Sequence, residues 1–140
     1  MSAYQVPCIT QLDAARIQEL RRSLSDRGRG PTGLHELLTK VTREAKVVPG
    51  REIPPSVVTM NSIVSFLDVI SRNVRKVTLV YPADVSIPQQ RISVLSPVGR
   101  ALLGRSVGQT AVMEQPGGNS RELRVLRIHY QPEAAGEFTR

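Results

Sequence analysis

The 140-residue chain contains no tryptophan and a single cysteine, Cys8. One thiol can form neither an intrachain disulfide nor a cysteine-based zinc site, and such sparing use of cysteine fits a reducing, cytoplasmic setting. Aromatic residues are few: Tyr4, Phe66, Tyr81, Tyr130 and Phe138. Proteins that bind single-stranded nucleic acid stack bases on several aromatics beside basic residues, and this chain has little to stack with. No apolar run approaches the length of a membrane span, and Met1-Ser-Ala-Tyr4 does not open a signal peptide, so no membrane association is expected. The histidines are His35 and His129 alone. HExxH, nucleophile-elbow and metal-ligand patterns are missing, and Gly28-Arg-Gly30 is not followed by the Lys-Ser/Thr of a phosphate loop. An enzyme with its own active site is therefore not expected, nor a cofactor, a metal or a small-molecule substrate.

What is present is enough apolar sequence for a core, 40% of the chain, and a formal net charge of +7. The charge suggests a polyanionic partner: nucleic acid, an acidic protein or an anionic membrane. No run of five or more like charges occurs. A dispersed surplus of this kind fits a solvated basic surface as well as a nucleic-acid face.

Residues 10–48 read as a helical hairpin. Thr10-Gln-Leu-Asp13 resembles a capping box, and Ile9, Leu12, Ile17, Leu20 and Leu24 share one broad helical face, interrupted by Asp13 and Arg16. Ser25-Asp-Arg-Gly-Arg-Gly-Pro31 breaks the helix. Thr32 can cap the second, in which Leu34, Leu38, Val41, Ala45 and Val48 form a coiled-coil seam ended by Pro49-Gly50. Two antiparallel helices of about 15 residues make a rod roughly 23 Å long. Spacing leaves two arrangements open, a hairpin packed on its own domain and a projecting arm.

Residues 51–133 read as mostly strand: 57–67, 74–81, 91–95, 110–115 and 120–131. A turn falls within Asp68 to Asn73 and a hairpin loop at Pro116-Gly-Gly-Asn119. Pro97 to Leu103 reads as a short helix, capped by Ser96 and ended by Gly104. In the last strand the apolar set moves from odd positions (Leu123, Val125) to even ones (Leu126, Ile128, Tyr130), which predicts a bulge near Val125 or Leu126. The tail, 134–140, is expected to be loose.

Several motifs occur in one order. Ser96-Pro-Val-Gly-Arg-Ala-Leu-Leu-Gly-Arg-Ser-Val-Gly108 closely resembles a segment of the Gre transcript-cleavage factors. Gln115-Pro-Gly-Gly118 and Leu123-Arg-Val-Leu-Arg-Ile-His-Tyr130 resemble the closing hairpin of the same domain. Val57-Val-Thr-Met-Asn-Ser62, Val77-Thr-Leu-Val-Tyr-Pro-Ala-Asp84 and Arg91-Ile-Ser-Val-Leu-Ser-Pro97 resemble the regulator of nucleoside diphosphate kinase branch of that family. The resemblance covers about residues 52–133. It implies an α+β architecture: a short N-terminal antiparallel coiled-coil hairpin over 1–50, then an FKBP-like β domain over 51–133. It also implies a projecting arm, and RNA polymerase as partner. The β domain would dock on the rim of the secondary channel, with the arm entering it.

In Gre factors, acidic residues at the arm's tip help hold a catalytic Mg²⁺ in the polymerase. Here the tip offers only Asp26, between Arg27 and Arg29, and the arginines would repel the metal. With helices this short, the resemblance implies transcription regulation by channel occupancy without transcript cleavage. For the rim it points to Ser96 and Pro97, with Leu95 standing where Gre factors often carry Asp or Asn, and with Asp84 and Arg100 nearby. Each has a plainer alternative: Leu95 a core side chain, Pro97 a helix start, Arg100 a solvated residue, Asp84 a turn former. Arg21, Arg22, Arg27 and Arg29 crowd the distal arm, facing either acidic polymerase residues or nucleic acid, or simply solvent. Two other functions stay open: a prolyl isomerase, from the implied fold, and a protein that binds nucleic acid directly. An effect on nucleoside diphosphate kinase would follow indirectly from altered transcription.

Overall fold

The computed structural model describes residues 6–25, 33–114 and 118–140. The expected tip residues Asp26, Arg27 and Arg29 lie outside these, as do Thr32 and the Pro116-Gly117 part of the hairpin loop. The chain opens with β1 (Cys8–Thr10) and α1 (Gln11–Ser25). Next come α2 (Leu34–Thr39), a π-helical turn (Lys40–Glu44) and β2 (Lys46–Val48), which pairs with β1 in parallel. Five strands build the main sheet: β3 (Ile63–Asp68), β4 (Val74–Val80), β5 (Arg91–Ser93), β6 (Thr110–Glu114) and β7 (Ser120–Tyr130). Their order is β5-β4-β3-β7-β6, antiparallel except for β4–β5. The short α3 (Pro97–Leu102) connects β5 to β6.

Local chemistry explains where elements begin and end. The Asp68 carboxylate accepts from the N–H groups of Ile70 and Ser71, which closes the β3–β4 turn. The strand expected from residue 57 begins only at Ile63. Before it, Ser62 Oγ accepts from the Thr59 N–H at 3.0 Å and the two hydroxyls bond each other, a side-chain turn that competes with strand pairing. The predicted bulge is present. Ser65 pairs with Arg127 and Phe66 with Val125, which leaves Leu126 as the extra residue; a second slip leaves out His129.

The second helix departs from its expected seam. Its buried apolar positions are Leu34, Leu37 and Val41, the π turn ends it at Glu44, and Val48 sits in β2. The widened turn rotates the following residues off the seam, and the backbone of Lys46 is then free to donate to the Pro7 carbonyl at 2.8 Å. Ile9, Ala14, Ile17, Leu34, Leu37 and Val41 belong to the same apolar core as Val58, Met60, Phe66, Leu102 and Leu103. The start of α1 and the whole of α2 thus pack into the same core as the sheet. Beyond Ile17, residues Arg21, Arg22 and Ser23 are exposed.

The tail corrects another expectation. Residues 134–140, read as loose, turn back along α1. Arg16 donates to the carbonyls of Thr139 at 2.9 Å and Arg140 at 2.6 Å. Arg140 stacks over the Tyr130 ring and donates to its hydroxyl, while Arg51 lies over Phe138. Replacing Arg16 with alanine should free this strap. Hydrogen exchange at residues 138–140 should accelerate while global stability falls by less than about 1 kcal/mol, since the contacts are exposed.

Candidate docking site

Four of the predicted rim residues, Leu95, Ser96, Pro97 and Arg100, lie on the turn from β5 into α3 and in α3 itself. Ser96 Oγ accepts from the Gly99 N–H at 3.1 Å and donates to the Ser93 carbonyl at 2.7 Å, and Ser93 Oγ accepts from the Leu95 N–H at 3.0 Å. Pro97 occupies the first helical position, where its missing N–H costs nothing. Gly99 has to be glycine, since a Cβ there would collide with the Ser93 carbonyl. Together these contacts make a rigid corner.

The five predicted rim residues do not form one surface. Leu95 is only 9% exposed and belongs to the core. Ser96 and Pro97 are half-buried at the corner. Arg100 is not a solvated residue: its guanidinium donates to the Leu95 carbonyl at 2.6 Å and packs against Gly33. Gly33 has φ +92°, and any side chain there would strike Arg100 and the Leu95 carbonyl. Asp84 is exposed on the turn Pro82–Asp84 and lines a separate depression with Asn61, Thr78, Arg91 and Tyr130.

Two buried charges fasten the helical segments to this corner and to the loop before β3; the sequence reading assigned neither this role. Lys40 is 8% exposed, and its Nζ donates to the carbonyls of Arg100 at 2.6 Å and Ala101 at 3.4 Å, at the end of α3. Burial, and then the nearby Arg105, push its ammonium down to about 7, against the pull of Glu44. Asp13 is 3% exposed. Thr10 does cap α1 through the Asp13 N–H at 3.1 Å, but the Asp13 carboxylate faces the β domain. There it accepts from the Met60 N–H at 3.1 Å and the Tyr81 hydroxyl at 3.4 Å. Burial raises this carboxyl to about 6, Glu133 adds to the rise, and the hydrogen bonds oppose it. Burial and then the Asp13 charge push the Tyr81 hydroxyl up, so it remains a donor.

Beside Ser96 opens a groove of about 610 Å³. Its apolar walls are Val85, Ile87, Ile92 and Val98, and Arg75 and Arg91 stand at its edge. Ile87 is 86% exposed and Val85 46%. An exposed apolar group rimmed by cations suits a partner segment that is apolar with acidic flanks. The sequence did hold a signal for it. Val85-Ser-Ile-Pro88 places apolar residues in a segment with neither strand nor helix pattern, where nothing in the fold requires them.

These features, two helices packed against a five-stranded sheet with a capped corner helix, define the class. Residues 53–130 match the family model for the C-terminal domain of the transcription elongation factors GreA/GreB, and the chain belongs to this family. Within it, the chain is 41% identical over 130 residues to the regulator of nucleoside diphosphate kinase of Escherichia coli K12, covering 93% of each protein. A solved structure, the prokaryotic transcription elongation factor GreA/GreB from Nitrosomonas europaea, superposes with a TM-score of 0.69. It shares 39% identity and covers 91% of this chain and 100% of its own. The transcription inhibitor protein Gfh1 of Thermus thermophilus is 37% identical over 75 residues, 52% of this chain and 47% of that protein.

Proposed function

We propose that this protein is a transcription regulator that binds RNA polymerase at the secondary channel without stimulating transcript cleavage. The observation that carries the reading is the match over nearly the whole chain to a regulator of the same family, with a corner built on the family's Ser-Pro-x-Gly-Arg segment. The β domain, which we take to be FKBP-like, docks on the channel rim through Ser96, Pro97 and the adjoining Val85–Ile87–Val98 groove, with Asp84 at the margin. Leu95 and Arg100 shape the corner from within. The short hairpin enters the channel as an arm and presents Arg21, Arg22, Arg27 and Arg29.

Two features favour occupancy without cleavage. Part of the hairpin is embedded in the core: α1 runs eight residues past the buried Ile17, about 12 Å of helix. The tip sequence also offers a single carboxylate, Asp26, between arginines. A prolyl isomerase is disfavoured, because no aromatic side chain lines the groove. The kinase in the relative's name is read as an indirect target of transcription.

The test combines polymerase binding with transcript cleavage in stalled elongation complexes. Binding without cleavage is expected. Ile87→Asp should weaken binding at least tenfold with an unchanged melting temperature, because the side chain is almost fully exposed. Failure of the wild-type chain to bind polymerase would sink the proposal, and stimulated cleavage would sink its second half.

A further inference from the structure

We propose that the outer face of the main sheet binds the phosphate backbone of duplex DNA, a surface that shares only Arg91 with the groove. Side chains on that face follow from the register. Tyr130, Ile63, Thr78 and Arg91 form one cross-strand row. The next row brings Arg127 and Lys76 to either side of Ser65, and the one after sets Arg124 opposite Leu67. Arg91, Lys76, Arg127 and Arg124 therefore descend diagonally across the sheet. With strands about 4.8 Å apart and about 3.3 Å per residue, the diagonal is roughly 20 Å long, with cations about 8–10 Å apart.

All four are exposed, and none forms an ion pair with another described residue. Four like charges held this close without partners are a cost to the fold that an anionic ligand would relieve. Their mutual field is felt at His129, which donates to or accepts from Ser65 Oγ at 2.6 Å. After its slight burial, Lys76 and Arg127 hold its imidazole below the ordinary value. The acidic groups of the face stand off the diagonal. Glu122 follows the end of the diagonal, two positions before Arg124 on β7, Glu114 is on the edge strand β6, and Asp84 is on the turn beside Arg91; none of them forms an ion pair with the four cations.

The occupant follows from what lies between the cations. Ser65 and Thr78 are small and polar, Ile63 and Leu67 beside them are half-buried, and the exposed Val74 lies off the diagonal, so its centre lacks the protruding aromatic or apolar anchor that a protein partner would need. Among the described residues Tyr130 is the one aromatic on this face, and the Arg140 guanidinium lies over its ring at 5.2 Å, where it competes with base stacking. A row of cations without stacking or base-reading groups matches the regular phosphates of a duplex and carries no sequence preference.

The experiment titrates the full chain into a fluorescent 20-base-pair duplex at 50, 100 and 200 mM salt, without polymerase. Four phosphate contacts predict a slope of log K against log salt of about −3.6. Lys76→Glu combined with Arg127→Glu should lower affinity at least tenfold at 50 mM and cut the slope to about half, with circular dichroism and melting temperature unchanged. Ile87→Asp should leave DNA binding unaltered, which separates this face from the polymerase site. No binding at 50 mM with micromolar protein, or a double variant that binds like the wild type, would overturn the proposal. So would a double variant that loses polymerase binding but keeps its affinity for DNA, since the face would then serve an acidic protein surface.

Discussion

Asp13→Asn is expected to stabilise the protein above pH 6 by about 3 kcal/mol and to remove most of its stability change between pH 4 and 6. Burial raises this carboxyl from 3.8 to about 6, which corresponds to about 3 kcal/mol of preference for the protonated form. Between those values the folded chain keeps a proton that the unfolded chain has released. Stability therefore falls as pH rises through the interval and is level above it. Asparagine keeps an acceptor for the Met60 N–H and can donate to the Tyr81 oxygen, without a charge to desolvate. Asp13→Ala removes the acceptor altogether. At pH 4–5, where the wild-type carboxyl is mostly neutral, it should cost about 1–3 kcal/mol by leaving a buried N–H unpaired. Urea melts of the three proteins from pH 4 to 8 check this. Parallel curves for wild type and Asp13→Asn would show that the carboxyl is not held as the structure shows it.

Lys40→Met is expected to change the alkaline side. The ammonium of Lys40 is pushed down from 10.5 to about 7 by burial and Arg105. Between pH 7 and 10.5 the folded chain has given up a proton that the unfolded chain still binds, so wild-type stability should rise with pH there. Below pH 7 the full cost of the buried charge is present. Methionine preserves the buried stem and discards the charge together with its desolvation cost, at the loss of the two bonds to the Arg100 and Ala101 carbonyls. The variant should therefore be at least as stable as wild type at pH 6.5, and its stability should be flat from pH 7 to 10. A variant with the wild-type slope over that range would assign the titration to another group. Loss of the bonds to Arg100 and Ala101 also uncouples α2 from α3. If the arm transmits its state to the corner, polymerase affinity should move with this substitution while Ile87 stays untouched.

These two residues mark where reading the sequence stopped. Asp13 interrupts an apolar face at i, i+3, i+4 spacing, and Lys40 falls just off the expected seam. A charged residue in such a place ordinarily points to solvent. Both are buried because a loop brought from elsewhere supplies their partners: Met60 and Tyr81 for Asp13, the end of α3 for Lys40. Neither partner can be inferred from local pattern. The bulge at Leu126 was legible, by contrast, because a change of phase in an alternating strand has only one geometric solution. The cap by Ser96 and the start at Pro97 were legible for the same reason, since they depend on residues within three positions of each other.

The candidate site divides along this line. Ser96-Pro97 was found because its motif is contiguous. Arg75 and Ile87, remote in sequence, meet in the groove only when β4 and β5 lie side by side. The diagonal of Arg91, Lys76, Arg127 and Arg124 is equally invisible in a chain whose charge looks evenly spread, because strand register alone brings those positions onto one face.

The sequence by itself determined the family, the strand and helix chemistry from β3 onward, the bulge, the capped corner and a tip poor in carboxylates. All of these rest on interactions between near neighbours or on contiguous motifs. Tertiary structure decided which charges are buried, how deeply α1 and α2 are embedded, where the tail lies and which cations share a surface. Each of those depends on contacts between residues far apart in the chain, whose energies arise from burial and register that exist only once the core has formed.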